Sequence, residues 1–214
     1  MQIRGSRIAG MIAFGLACGV AGAADKGDAG AELERRLLLK NSDPQAWQKV
    51  LETGKQKAFL CAYCHGEDGN SLEAFVPNLA AQNPRYLLDQ TRRYGDGRRK
   101  HFVMTPMIKE FNDDEVIASA VYYANMKTKP AAADKNLVEQ GRKLYAERCA
   151  SCHRTDARGD ETYARLASQN AKYLRARLED LRKPVTAGTA MNGVAAVLSD
   201  EQISALAAHM SALP

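Results

Sequence analysis

Two pentapeptides of one pattern, Cys61-Ala62-Tyr63-Cys64-His65 and Cys149-Ala150-Ser151-Cys152-His153, carry the most specific chemistry in this sequence. Two thiols with two residues between them at the end of a helix reach the two vinyl groups of one porphyrin and form thioether bonds. The next residue lies under the ring, where its imidazole can bind iron. On this reading Cys61, Cys64, Cys149 and Cys152 attach two haems, and His65 and His153 each supply one iron ligand. The competing uses of C-x-x-C are a redox dithiol, half of a zinc ribbon and a structural disulfide. A zinc site brings its two pairs within about 15 to 20 residues. Cys61 and Cys149 stand 88 residues apart.

The opposite face of each iron needs its own ligand, and an internal repeat points to it. The stretch Asn78-Leu79-Ala80-Ala81-Gln82-Asn83-Pro84-Arg85-Tyr86-Leu87 recurs as Arg165-Leu166-Ala167-Ser168-Gln169-Asn170-Ala171-Lys172-Tyr173-Leu174, at an interval of 87, which also separates Gly54 from Gly141. The chain is therefore a tandem duplication of a unit of about 80 residues, with a one-residue slip just after each haem motif. Met104 and Met191 are again 87 apart. Each is followed seven residues later by an apolar residue and a helix cap, Phe111-Asn112 and Leu198-Ser199. Repeat matching makes this pair the candidate second ligands. His101 and Met107 remain rivals at the first iron. Met210 and His209 align with Tyr123 and Tyr122 and are expected to pack or lie at the surface.

These residues resemble the small di-haem c-type cytochromes of the cytochrome c4 group, built from two class I cytochrome c domains. The resemblance runs from about Ala46 to the C-terminus. It rests on Cys61-Ala62-Tyr63-Cys64-His65-Gly66, Asn78-Leu79-Ala80, Gln82, Tyr86-Leu87-Leu88, Met104-Thr105-Pro106-Met107, a Lys129-Pro130 linker, and Leu137-Val138-Glu139 leading to Gly141 and Tyr145. In that family the first Met of M-x-x-M is the axial ligand, which implies Met104 here and Met191 at the matching position. Pro77 matches a proline whose carbonyl orients the haem histidine, whereas Ala164 stands at its place in the second half. The resemblance also implies haem edges that face each other across the domain interface.

The elements that must position these groups read as helices. Segments are expected over Gln45 to Phe59, Pro84 to Tyr94, Asp113 to Met126, Asn136 to Glu147, Ala171 to Leu181 and Asp200 to Ser211. Asn83-Pro84 supplies a cap with proline in the first turn, and Ser199 with Gln202 a capping box. No pair of alternating runs makes a hairpin. The expected fold is all-α: an N-terminal extension over 24–45, a cytochrome c domain over 46–128, a linker over 129–135 and a second domain over 136–214. The extension, with Arg35-Arg36 and Leu37-Leu38-Leu39, is assigned no function. Units this small, with few aromatics, depend on covalent haem as a large apolar plate in the core.

Residues 1–23 read as a secretory signal peptide. Arg4 and Arg7 precede the apolar run Ile8 to Val20, which is too short to span a bilayer, and Ala21-Gly22-Ala23 is a small-residue cleavage site. An uncleaved anchor and lipidation at Cys18 are the alternatives. Five cysteines in 214 residues are too sparse for a disulfide framework. The net charge of +5, from 30 basic and 25 acidic residues, gives little support to nucleic-acid binding.

The expected function is electron transfer in the periplasm, because His/Met ligation closes both axial positions of each iron. No catalytic residue and no small-molecule substrate are expected. The partners are redox proteins: by the resemblance, a membrane-bound quinol-oxidising complex and a terminal oxidase or reductase. Two other readings are a haem-bearing subunit of a larger dehydrogenase and a di-haem redox enzyme, which would need an open iron. Arg92, Arg93, Arg98, Arg99 and Lys100 form a basic cluster, to be weighed between a solvated loop and a docking face.

Overall fold

The computed structural model describes residues 28–184 and 188–214, so the expected signal peptide and Cys18 lie outside the described residues. Within them every regular element is helical: α1 (Ala29–Ser42), α2 (Pro44–Lys57), α3 (Phe59–His65), α4 (Pro84–Gly95), α5 (Met104–Lys109), α6 (Asp113–Ala124), α7 (Lys135–Arg148), α8 (Ala150–His153), α9 (Ala171–Arg182), α10 (Ala190–Ala196) and α11 (Asp200–Ala212). The capping signals act as expected. Asn83 accepts from the N–H groups of Arg85 and Tyr86, and Asn112/Glu115 and Ser199/Gln202 form reciprocal boxes. The short helices α3, α5, α8 and α10 span only four to seven residues, too few to leave a hydrophobic period.

Each unit is built on one close helix crossing, α2 on α6 and α7 on α11. Gly54 and Gly141 sit at these crossings. A Cβ on Gly54 would meet Tyr122 Cβ at 2.6 Å, and one on Gly141 would meet His209 Cβ at 2.7 Å. Only glycine lets the backbones approach this closely. Around the crossings, Trp47, Leu88, Val116, Ile117 and Val121 make one core, and Tyr145, Leu174, Ile203, Leu206 and Met210 the other. His209 is thus buried against Tyr145, at a ring-centroid distance of 5.5 Å, and Met210 lies in the core, both as packing residues.

The segment read as an extension packs onto the first unit. Asp43 closes α1 and caps α2, so the two helices turn directly into each other. Leu33 of α1 is fully buried in the first core, beside Ala29 and Trp47. Arg36 bonds Glu32 at 2.7 Å and pairs with Asp114 of α6, while Glu34 meets Arg85 of α4 at 2.9 Å. The reason the sequence hid this helix is its charge: five of its fourteen residues are ionic, and Arg36 is buried only because two carboxylates receive it.

The units meet through backbone-directed bonds of matching register. Gln82 Oε1 accepts from Arg165 N–H at 2.7 Å and its Nε2 donates to Arg165 C=O at 3.0 Å. Gln169 does the same to Asn78, at 2.6 and 2.9 Å. Asn78 Nδ2 also donates to Ser168 C=O (2.8 Å), and Asn170 Nδ2 to Glu73 C=O (3.0 Å). The segment between the units is tied down as well, since Asn70 Nδ2 donates to Lys127 C=O at 2.9 Å and Ala131 N–H to Ser211 C=O at 2.9 Å.

Candidate haem sites

Short helices present the two C-x-x-C-H motifs. Cys61 and Cys64 lie on α3; Cys149 closes α7 and opens α8, which carries Cys152. All four are free thiols. The first of each pair is half-buried against its unit's core and the second is exposed. Burial pushes the Cys61 thiol up, and the Cys149 thiol up to about 11, so these thiols are held protonated. Among the described residues no three His, Cys, Asp or Glu side chains converge on a metal-binding cluster, so the zinc reading has no site.

After each histidine the backbone turns into the left-handed region, at Gly66 (φ 81°) and Arg154 (φ 68°). The turn returns the chain across the histidine ring. His65 Nδ1 lies 2.8 Å from Pro77 C=O, and His153 Nδ1 lies 2.9 Å from Ala164 C=O. A carbonyl only accepts, so Nδ1 carries the hydrogen in both rings and each Nε2 keeps its lone pair. Burial lowers the pKa of both imidazoles, which keeps them neutral. Nε2 of His153 is buried with no hydrogen-bond partner. A neutral, buried, oriented imidazole with a free Nε2 beside two thiols is a donor set that fits a covalently held haem.

The departure from the family pattern at Ala164 has no geometric effect, because the contact uses the backbone carbonyl and not the ring of Pro77. The repeat offset also becomes sharper. Leu79 and Ala80 N–H bond Gly69 C=O, and Leu166 and Ala167 N–H bond Ala157 C=O. Gly69 to Ala157 is 88 and Pro77 to Ala164 is 87, so the missing residue lies in the loop between these points rather than directly after the histidine.

Met104 is the first residue of α5 and Met191 the second of α10; both are half-buried, and Met191 packs against the second core. The helices are fixed differently. At α10, Thr189 and Asn192 form a box, and Asn192 Nδ2 donates to Leu181 C=O at 2.8 Å. At α5, His101 Nδ1 accepts from Val103 and Met104 N–H, both at 3.3 Å. His101 is exposed, and that nitrogen is engaged in holding the start of the helix that carries Met104; Met107 is half-buried one turn later.

The basic cluster is mostly neutralised from within. Arg92 pairs with Asp113 (3.3 Å), Arg93 with Asp89 (2.7 Å) and Arg98 with Asp96 (2.6 Å). Arg99 lies over the Tyr94 ring at 4.6 Å and donates to Gln90 and to Tyr173 of the second unit. No described helix is long and apolar enough to cross a membrane.

A family model described as cytochrome c matches residues 138–214. A cytochrome c4 of Thiocapsa roseopersicina is 36% identical over 186 residues, covering 80% of this chain and 93% of that one. A solved structure of reduced recombinant cytochrome c4 from Pseudomonas stutzeri superposes with a TM-score of 0.70 at 32% identity, over 76% of this chain and 98% of the other. A protein of Thiomonas intermedia described as a thiosulfate dehydrogenase electron acceptor is 31% identical over 174 residues, 74% of this chain and 80% of its own.

Proposed function

The chain belongs to the cytochrome c4 family of di-haem electron-transfer cytochromes, and from that premise we propose that each repeat holds one c-type haem between a histidine and a methionine. Cys61 and Cys64 tether the first, with His65 and Met104 at its iron; Cys149 and Cys152 tether the second, with His153 and Met191. The units divide over 129–135. The observation that carries this reading is the doubled histidine geometry, in which Pro77 C=O and Ala164 C=O each hold a neutral imidazole with Nε2 free.

When bound, each haem supplies an iron that cycles between ferric and ferrous states. The chain's own residues do the rest. The carbonyl bond to Nδ1 fixes the ring and raises its basicity. The Met104 and Met191 thioethers would hold each iron together with the histidines, which would favour the ferrous state and leave no position for a substrate. The clasped unit junction keeps the two sites at one fixed separation. Such a protein accepts and passes single electrons without doing chemistry on a substrate.

Export by residues 1–23 places the mature chain in the periplasm, where its partners are redox proteins, a membrane-bound quinol-oxidising complex and a terminal oxidase or reductase. A second reading, electron acceptor for a dehydrogenase, is favoured by the Thiomonas relative. The test of the carrier reading is addition of cyanide to the oxidised holo-protein. Both haem spectra should stay unchanged over minutes. Rapid binding at either iron contradicts a closed His/Met site and turns the reading to an enzyme.

A further inference from the structure

Between α4 and α5 the first unit has a cleft of about 650 Å³ whose lining includes Gly95, Lys100, His101, Phe102, Pro106 and Lys109. None of the eight haem residues lines it. Phe102 is 88% exposed and stacks on His101 at 4.8 Å; His101 in turn meets Tyr94 edge-on at 6.4 Å. The neighbouring Arg92, Arg93 and Arg98 are paired with carboxylates, and Asp96 in the cleft is held by Arg98. Lys100 and Lys109 form no ion pair among the described residues. The face therefore combines an uncovered aromatic ring with two cations that remain to be met.

The fold itself does not ask for these residues. At the interval of 87, Lys100, Phe102 and Lys109 correspond to Ala187, Thr189 and Ala196. The same unit is thus built a second time with neither the cations nor the ring. Aromatic residues concentrate at the centres of protein interfaces, while charges around them steer encounter and fix register.

We propose that this cleft is a docking site for a small acidic redox protein, with Phe102 as the apolar centre and Lys100 and Lys109 meeting carboxylates on the partner. It deepens the carrier reading and rests on it. Phe102 stands two residues before Met104, so the partner approaches the first haem from its methionine side, and electrons enter or leave the pair through the first unit.

Stopped-flow reduction of the holo-protein by flavodoxin hydroquinone, a small acidic redox protein, tests this across a range of ionic strength. The wild-type rate should fall as salt rises. Lys100→Glu with Lys109→Glu should slow reduction about tenfold at low salt and flatten that dependence. Phe102→Ser should slow it severalfold at every salt concentration with both haem potentials unchanged. Ala196→Glu, at the matching exposed place in the second unit, should leave the rate as it was. A salt-independent wild-type rate, an unchanged rate in the double lysine variant, or equal slowing by Ala196→Glu overturns the proposal. So does a potential shift in Phe102→Ser, which would make the ring a cover for the haem. Failure of the carrier reading shows separately, as cyanide binding to the unmodified protein.

Discussion

Gln82 and Gln169, matched across the repeat, each close a two-point clasp on the backbone of the opposite unit, at Arg165 and Asn78. Both amides are buried. The junction is thus self-complementary within one chain, in the manner of a two-fold dimer interface. Removing one amide leaves a buried N–H and a buried C=O without partners, at about 1 to 3 kcal/mol each. Calorimetry of the holo-protein should show one cooperative transition, and Gln82→Leu with Gln169→Leu should split it into two.

Helix α1 should be a structural part of the first unit. Leu33→Ala should cost the first unit about 2 to 5 kcal/mol, the range for truncating a fully buried leucine. Trp47, the single tryptophan, lies in the same cluster, so its fluorescence during denaturant unfolding reports the loss. Leu38→Ala, on an exposed position of the same helix, should leave the curve in place.

Acid should loosen that helix. Hydrogen bonding to Arg35, with Arg36 adding to it, holds Glu32 down at about 2, against an ordinary 4.5. A depressed carboxylate contributes stability that is complete above its unfolded value and is lost as pH falls through the folded one. Both partners lie on α1, so the helix itself should fray increasingly from about pH 4.5 to about pH 2. Hydrogen exchange along Ala29–Ser42 measures it, and Glu32→Gln should remove that part of the pH dependence.

Gly141→Ala should be poorly tolerated, because the new Cβ runs into Ala205 C=O and His209 Cβ where α7 crosses α11. Overpacking of this kind costs about 1 to 3 kcal/mol, and more where the obstacle is backbone. Thermal unfolding should show the second unit destabilised. Gly193→Ala, in open space on α10, should be neutral or mildly stabilising.

Much of this architecture was legible in the sequence, for identifiable reasons. Asn83, Asn112 and Ser199 mark helix starts because their side chains satisfy free N–H groups, a local effect needing no tertiary contact. The repeat interval carried Met104 to Met191 and Gly54 to Gly141, since duplication preserves the contacts each residue must make. Helix α1 was illegible because Arg36 is buried by ion pairs with Glu32 and Asp114, a tertiary match that no hydrophobic period displays. The basic cluster reads as more open in the sequence than in the fold for the same reason, since Asp113, which pairs with Arg92, reaches it only in the folded chain. The hold on His153 was hidden in another way: its partner is the Ala164 backbone carbonyl, which every residue type has.

In the proposed His/Met scheme each unit carries one haem closed by a methionine, Met104 in the first and Met191 in the second. Its most direct test is a potentiometric titration of the holo-protein with optical spectra, alongside Met104→Ala and Met191→Ala. The unmodified protein should titrate in two one-electron steps and show the ferric charge-transfer band of thioether-bound iron. Each substitution should abolish that band at one haem, lower one potential and admit carbon monoxide at that iron alone, while Met107→Ala changes nothing. Retention of both bands and of both closed irons in Met191→Ala would contradict the account, because the second haem would then be held by a different ligand.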